Sequence, residues 1–370
     1  MFNDLDIYNQ NKKKKIVKSI NKAIDENNFI FGKNVKKFEK KLSQFTKSKY
    51  VVSVGSGTDA LLISLLSLNL KKDDEVILPS FSWLSVIEVV LLLKLKPIFV
   101  DTNIKDFNLD TSKIANLISK KTKVIISTSL FGRTCDFNSL KKILPKKVFL
   151  IEDGAQNFGS IYNKKSSLNI ADISCTSFFP TKNLGSFGDG GAIFTNDKNI
   201  YDKIIILRNH GQKKYSYGDL PGLNSRLGTI QASILIEKLR TIKLKLAKQI
   251  KLYKNYQEFF LKNKIIGFPL FREKKILSDA NSSFNILVKN RNTFIKELKK
   301  NNIDYKIYYP KPLYSQYKLK KNIKYRNTEY ICERIISLPF NDLSEKRSTN
   351  IFKKLQKIIF KDRSIFFEKT

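Results

Sequence analysis

Lys182 stands in Ser177-Phe-Phe-Pro-Thr-Lys182-Asn-Leu-Gly185, after a short apolar run and inside a turn of small residues. An amine placed on such a turn can be reached by a flat carbonyl compound and form a Schiff base with it. An ordinary surface lysine is the competing reading, and a lysine-rich chain makes it a strong one. The second candidate is Gly55-Ser-Gly57-Thr58-Asp59, which follows a β-branched run and opens an apolar helical stretch. Glycines let a backbone approach closely, and a helix start offers free N–H groups and a positive dipole end to a phosphate. The dipole contributes ~1 kcal/mol. A plain strand-to-helix turn would read the same way, and the Gly-Lys-Ser/Thr ending of a Walker loop is missing.

Three further groups carry possible chemistry. Asp153, in Glu152-Asp153-Gly154-Ala155-Gln156, closes another apolar run. A carboxylate there could keep a ring nitrogen protonated, or cap a helix. Trp83, in Ser80-Phe-Ser-Trp83, could stack on a flat ring or fill the core. Tyr308-Tyr309-Pro310-Lys311-Pro312 is rigid and rich in hydroxyls; it could line the mouth of a phosphate or sugar site, or be a proline-stiffened loop. The lone His210 reads as structural. Together these residues supply a phosphate cradle, an aromatic, an acid and a lysine. That set matches the needs of pyridoxal phosphate chemistry.

The elements that must position them alternate. Strands are expected at 50–54, 75–79, 97–101, 123–127, 148–152, 173–178 and 192–195. Helices are expected at 12–28, 35–45, 58–68, 82–95, 111–118 and 137–144, then over a long stretch at 229–261. Strands alternating with helices predict an α/β fold with a mostly parallel sheet covered on both faces. In such sheets ligands bind at the carboxyl ends of the strands. Shorter elements follow: strands at 283–288 and 305–309, and helices at 291–301 and 344–360. They predict a smaller C-terminal α/β domain over 241–370, behind a large domain over 1–240.

Composition narrows the function classes. The formal charge of +36 suits nucleic acid or an anionic membrane as a partner. Yet the lysines are spread along the whole chain among many Asn, Ile, Phe and Tyr residues, the pattern of an AT-rich genome. A solvated basic surface that steers phosphate-bearing ligands follows, with no nucleic acid and no membrane expected as partner. A non-catalytic, nucleic-acid-binding protein is the rival of another class. Cys135, Cys175 and Cys332 are isolated, which argues against disulfides and a zinc site. One histidine excludes a His-based metal cluster or a Ser-His-Asp triad, so no metal is expected. The N-terminal stretch lacks the layout of a secretory leader, and the apolar run at 83–95 is broken by Glu88 and Lys94. A cytoplasmic location is expected.

The motifs Gly55-Ser-Gly-Thr-Asp-Ala-Leu, Asp73-Asp-Glu-Val-Ile-Leu-Pro-Ser80, Ile151-Glu-Asp-Gly-Ala-Gln156, Ser177-Phe-Phe-Pro-Thr-Lys-Asn-Leu-Gly185, Arg208-Asn-His-Gly211 and Gly222-Leu-Asn-Ser-Arg-Leu227 are spread over nearly the whole chain. It resembles the DegT/DnrJ/StrS family of sugar aminotransferases. The resemblance implies the aspartate-aminotransferase type of fold (fold type I) and pyridoxal 5′-phosphate as cofactor. It implies that Lys182 holds the cofactor covalently and shuttles the proton, that Asp153 pairs with the pyridine nitrogen, and that Gln156 bonds the ring hydroxyl. Gly57, Thr58 and Ser177 would hold the phosphate, and Trp83 would stack on the ring. Asn224 would reach the phosphate of a partner subunit, which implies a homodimer with shared sites. Arg226, Tyr308 and Tyr309 fall at the sugar-nucleotide end.

Some members carry histidine in place of this lysine and dehydrate their sugars, so Lys182 favours transamination. The expected reaction moves an amino group from L-glutamate to the C3 keto group of a nucleotide-linked sugar, for surface polysaccharide or glycoconjugate synthesis. The sugar is expected to be a UDP-2-acetamido-3-keto-uronate or a dTDP-3-keto-6-deoxyhexose. A 4-keto-sugar aminotransferase and a sugar dehydratase are the alternatives within the family. Gly154 and Gly228 depart from the usual alanine and aspartate. Tyr217, Tyr308, Tyr314 and Asn341 stand where many members have histidine.

Overall fold

The computed structural model describes residues 10–214, 217–218, 220–270, 272–274, 277–319, 324–340 and 344–368. Residues 1–9, the side chain of Tyr217 and Asn341 lie outside it, and with them the readings made of the N-terminal stretch and of those two departures.

Seven short apolar runs build one sheet. They are β1 (Tyr50–Val54), β2 (Glu75–Pro79), β3 (Lys96–Val100), β4 (Thr122–Thr128), β5 (Phe149–Asp153), β6 (Ile173–Ser177) and β7 (Gly191–Thr195), in the order β1-β7-β6-β5-β4-β2-β3. The pairs β2/β3, β2/β4, β4/β5 and β5/β6 are parallel, while β7 runs antiparallel to β6 and β1. Most of these strands are buried on both faces, so they read as near-continuous apolar runs.

The chain's helices are α1 (Gln10–Asp25), α2 (Lys33–Thr46), α3 (Gly57–Leu66), α4 (Ser85–Leu92), α5 (Phe137–Ile143), α6 (Lys198–Leu207), α7 (Thr229–Leu239), α8 (Ile242–Lys262), α9 (Arg291–Lys300), α10 (Arg326–Arg334) and α11 (Glu345–Lys361). Ile63 and Leu65 of α3, Val86 and Val90 of α4 and Ile204 of α6 pack in one core with Val52, Leu78 and Ile126 of the sheet. Phe38 and Leu42 of α2 and Leu235 of α7 meet Val51 and Phe194 in another. A separate core joins Tyr253, Tyr256 and Phe260 of α8 to Phe294, Leu355 and Ile358 of α9 and α11. It surrounds an antiparallel pair, β8 (Phe284–Leu287) with β9 (Ile335–Leu338).

Three expected elements differ. The helix at 111–118 is two single turns, Thr111–Lys113 and Ala115–Leu117, because Ile114 is the one residue there that is fully buried. The stretch at 229–261 breaks at Arg240 and Thr241. Ile242 and Leu246 at the start of α8 stay with the sheet's core, whereas Leu252 onward belongs to the C-terminal one. The strand at 305–309 is a single bridge, Lys306 to Ser337. Pro310 and Pro312 follow; neither can donate to a ladder, so the chain leaves the sheet there.

One polar knot ties the segment before β8 to the turn after β4. Asp279 is fully buried and accepts two bonds from Arg272, at 2.8 and 3.0 Å. It also accepts the Thr134 N–H at 3.1 Å, and Arg133 lies beside it. Next to it, Gly132 and Phe131 carbonyls accept the N–H groups of Ala280 and Ser282. Replacing Asp279 with alanine leaves the buried Arg133 guanidinium without its anion and removes the two-bond partner of Arg272, which keeps only Asp106 at 3.7 Å. The expected loss is about 3–5 kcal/mol of stability, read from urea unfolding midpoints at constant m-value.

Candidate active site

The carboxyl ends of β5 and β6, the start of α3 and the segments around Ser282 and Tyr309 enclose a cleft of about 420 Å³. Its position follows from strand direction: parallel strands end together, and the loops that leave them part at that edge.

The floor is built from three adjacent turns. Asp153 is the last residue of β5 and 5% exposed; its Oδ1 accepts the Ala155 N–H at 3.1 Å. It caps a local turn and no helix. Lys182 reaches the same cleft from the loop after β6, with its backbone N–H on the Phe179 carbonyl at 2.9 Å. Burial lowers the Lys182 pKa from the ordinary lysine value, and the Asp153 charge partly offsets that. Burial raises the Asp153 pKa, opposed by the Ala155 N–H and by Lys182. Each charge thus acts on the other, and burial pushes the amine toward its nucleophilic, uncharged form.

The anion end is formed by Ser56, Gly57 and Thr58 with Ser177 opposite. Ser56 caps α3, accepting the Asp59 N–H at 3.0 Å, which leaves the first-turn N–H groups facing the cleft. Only glycine permits this closeness. A Cβ on Gly57 would lie 2.7 Å from the Ser177 Cβ, and one on Gly191 would lie 2.3 Å from the Ser56 carbonyl oxygen. The departure at Gly154 also has a packing reason, since a Cβ there would lie 2.4 Å from Leu168 Cδ2.

The wall is aromatic. Trp83 is 52% exposed and lines the cleft, so it is not a core filler. Its ring stands 5.8 Å from that of Tyr309, which is also flanked by Phe81 and Phe131. Gln156 is fixed at both ends. Its Oε1 accepts the Phe131 N–H at 2.9 Å, and its Nε2 donates to the Tyr309 hydroxyl at 3.2 Å. Tyr308 lines the cleft beside Tyr309.

Of the residues singled out in the sequence, Gly57, Thr58, Trp83, Asp153, Gln156, Ser177, Lys182, Tyr308 and Tyr309 converge here. Asn224 and Arg226 do not line this cleft. Asn224 is exposed, and Arg226 donates to Asn209 at 3.1 Å. Sequence reasoning gave no site role to Phe131, though Leu130-Phe-Gly132 is one of the family-like motifs, nor to Ser282 and Ser283, which the bond from the Ser282 N–H to the Phe131 carbonyl beside the Asp279 knot brings to the cleft. Among the described residues, no group of three or more His, Cys, Asp and Glu could hold a metal ion. No helix among them is long and apolar enough to cross a membrane.

Residues 10–356 match the DegT/DnrJ/EryC1/StrS aminotransferase family. The chain belongs to that family. The chain is thus a pyridoxal-phosphate-dependent aminotransferase. The chain is 37% identical to a UDP-2-acetamido-2-deoxy-3-oxo-D-glucuronate aminotransferase of Pseudomonas aeruginosa, over 85% of this chain and 88% of that one. It is 33% identical to a dTDP-3-amino-3,6-dideoxy-alpha-D-galactopyranose transaminase of Aneurinibacillus thermoaerophilus, over 93% and 95% of the two chains. The crystal structure of NtdA from Bacillus subtilis with bound cofactor PMP superposes with a TM-score of 0.89, at 26% identity, covering 97% of this chain and 85% of that one.

The cleft of this family member fits a flat pyridine ring that carries a phosphate. The Gly57/Gly191 cradle has no room for a Cβ, the buried acid faces the amine, and an aromatic wall leaves a slot for a ring.

Proposed function

We propose that this chain is a nucleotide-sugar aminotransferase that moves an amino group from L-glutamate to the C3 keto group of a UDP-linked 2-acetamido-3-keto-uronate, with a dTDP-3-keto-6-deoxyhexose as the second substrate class. The observation that carries the reading is that Lys182 and the buried Asp153 line one cleft together with Gly57, Thr58 and Ser177 at the start of α3 and the end of β6. Both named relatives act, by name, on 3-oxo or 3-amino sugars, which supports C3.

Pyridoxal phosphate supplies an electron sink and a carrier for the amino group. The chain's residues do the rest. Gly57, Thr58 and Ser177 bind the phosphate. Asp153 keeps the ring nitrogen protonated. Gln156, locked by Phe131 and Tyr309, orients toward the ring hydroxyl, and Trp83 covers the ring face. With pyridoxal phosphate bound, Lys182 Nζ would hold it covalently and would be the group that moves the proton during transfer. Tyr308, Tyr309 and Arg226 meet the sugar nucleotide. Asn224 serves the site of a second subunit, which makes the working form a homodimer with two shared clefts. The product feeds lipopolysaccharide or another surface glycoconjugate, made in the cytoplasm. The layout is a large domain over 1–240 and a smaller one over 241–370.

The test is a set of UDP- and dTDP-ketosugars incubated with glutamate and scored by mass. The expected product is the C3 amine of the UDP-uronate, with 2-oxoglutarate formed in equal amount. A deoxygenated, unaminated product would count for the dehydratase instead. Light scattering that gives a monomer would remove the shared-site arrangement.

A further inference from the structure

Ser225 lies outside the cleft, 1% exposed, yet it holds both sides of the turn that forms the anion end. Its hydroxyl oxygen accepts the Gly55 N–H at 2.9 Å and donates to Asp59 Oδ2 at 2.8 Å. Gly55 and Asp59 bracket the Ser56-Gly57-Thr58 turn. The hydroxyl is itself held by the sheet. The Ser225 N–H donates to the Arg208 carbonyl at 3.0 Å, and the Arg208 guanidinium bonds the Ser53 carbonyl of β1 at 2.8 Å and Glu39 at 2.7 Å.

Asp59 needs such a restraint. It is the only acidic residue in the first turn of α3, where the helix dipole welcomes a negative charge. The same N–H groups are offered to a phosphate, so a carboxylate free to swing toward them would compete with that phosphate and repel it. Bonded to Ser225, the carboxylate is kept out of the cleft, of which Ser56 and Thr58 form part and Asp59 does not.

We propose that Ser225 is a positioning residue for the phosphate end of the cofactor: it sets the Gly55–Thr58 turn and holds the Asp59 charge away from it. This rests on the reading of Gly57 and Thr58 as the phosphate cradle.

The test compares two probes on the apo chain, pyridoxal phosphate and pyridoxal, titrated by absorbance. Ser225→Ala is expected to weaken pyridoxal phosphate roughly tenfold while leaving pyridoxal within about twofold. The double variant Ser225→Ala with Asp59→Asn is expected to recover most of that loss. A general loosening of the fold would weaken both probes alike, and that result overturns the proposal, as does an unchanged pyridoxal phosphate affinity. Asp59→Asn alone keeps the serine and is expected to bind pyridoxal phosphate at least as tightly as the parent; weaker binding sinks the role given to the charge. A parent chain that prefers pyridoxal phosphate no more than pyridoxal overturns the cradle reading itself.

Discussion

Replacing Lys182 with alanine is expected to lower turnover on the order of 10⁴-fold and to abolish the visible absorption of the purified, cofactor-loaded protein. The two losses have one cause. Lys182 is the cleft's lysine, and burial has already pushed its amine toward the uncharged form that attacks a carbonyl. Among the described residues no other lysine or arginine lines the cleft, and Lys182 is the cation that acts on Asp153. A colourless parent protein that takes up no added pyridoxal phosphate would defeat the reading before any variant is made.

The lowered amine pKa fixes the sign of the pH dependence. Above that value the amine is uncharged and captures pyridoxal phosphate; as pH falls through it, the amine takes a proton and capture slows. The loss therefore sets in at lower pH than for an exposed lysine. The folded chain also holds fewer protons at this site than the unfolded chain. Lys182 thus opposes folding at low pH, and that cost fades as pH rises to the ordinary lysine value of 10.5. Stopped-flow absorbance across pH on the apo chain reads the first effect.

Asp153→Asn is expected to cost roughly 10²–10³-fold in turnover with the cofactor still bound. Burial makes the Asp153 carboxylate costly to ionise alone, and the Ala155 N–H and Lys182 only partly repay it. A protonated ring nitrogen would give this carboxylate a second cationic partner beside Lys182. An amide of the same shape keeps the turn and the packing but cannot hold that proton. The half-reaction with glutamate, followed by absorbance, separates the two: retained colour with slow decay is expected, and undiminished decay would refute the role.

Much of this site was legible from local chemistry. Lys182 between a strand and glycines, Gly55 to Asp59 between a strand and a helix, and Asp153 at the end of an apolar run each carry a signal within a few residues. The strands were legible for the same reason, since strands covered on both faces must be apolar throughout. Elements held by one or two distant contacts were not. The 111–118 segment has a helical composition but only Ile114 to bury, and 305–309 has a strand composition but one bridge.

The sequence by itself determined the cofactor chemistry, because a phosphate cradle, an acid and an amine each need a particular residue on a particular turn. Only the tertiary structure decided which neighbours serve them. Ser225, 166 positions from Asp59, meets its carboxylate because the backbone after α6 lies against β1. Gln156 meets Tyr309 across 153 positions, and the bonds of Ala280 and Ser282 to Gly132 and Phe131 bring another remote segment to the same edge of the sheet. Hydrogen bonds and burial act through space, and chain spacing carries no record of them until the sheet is closed.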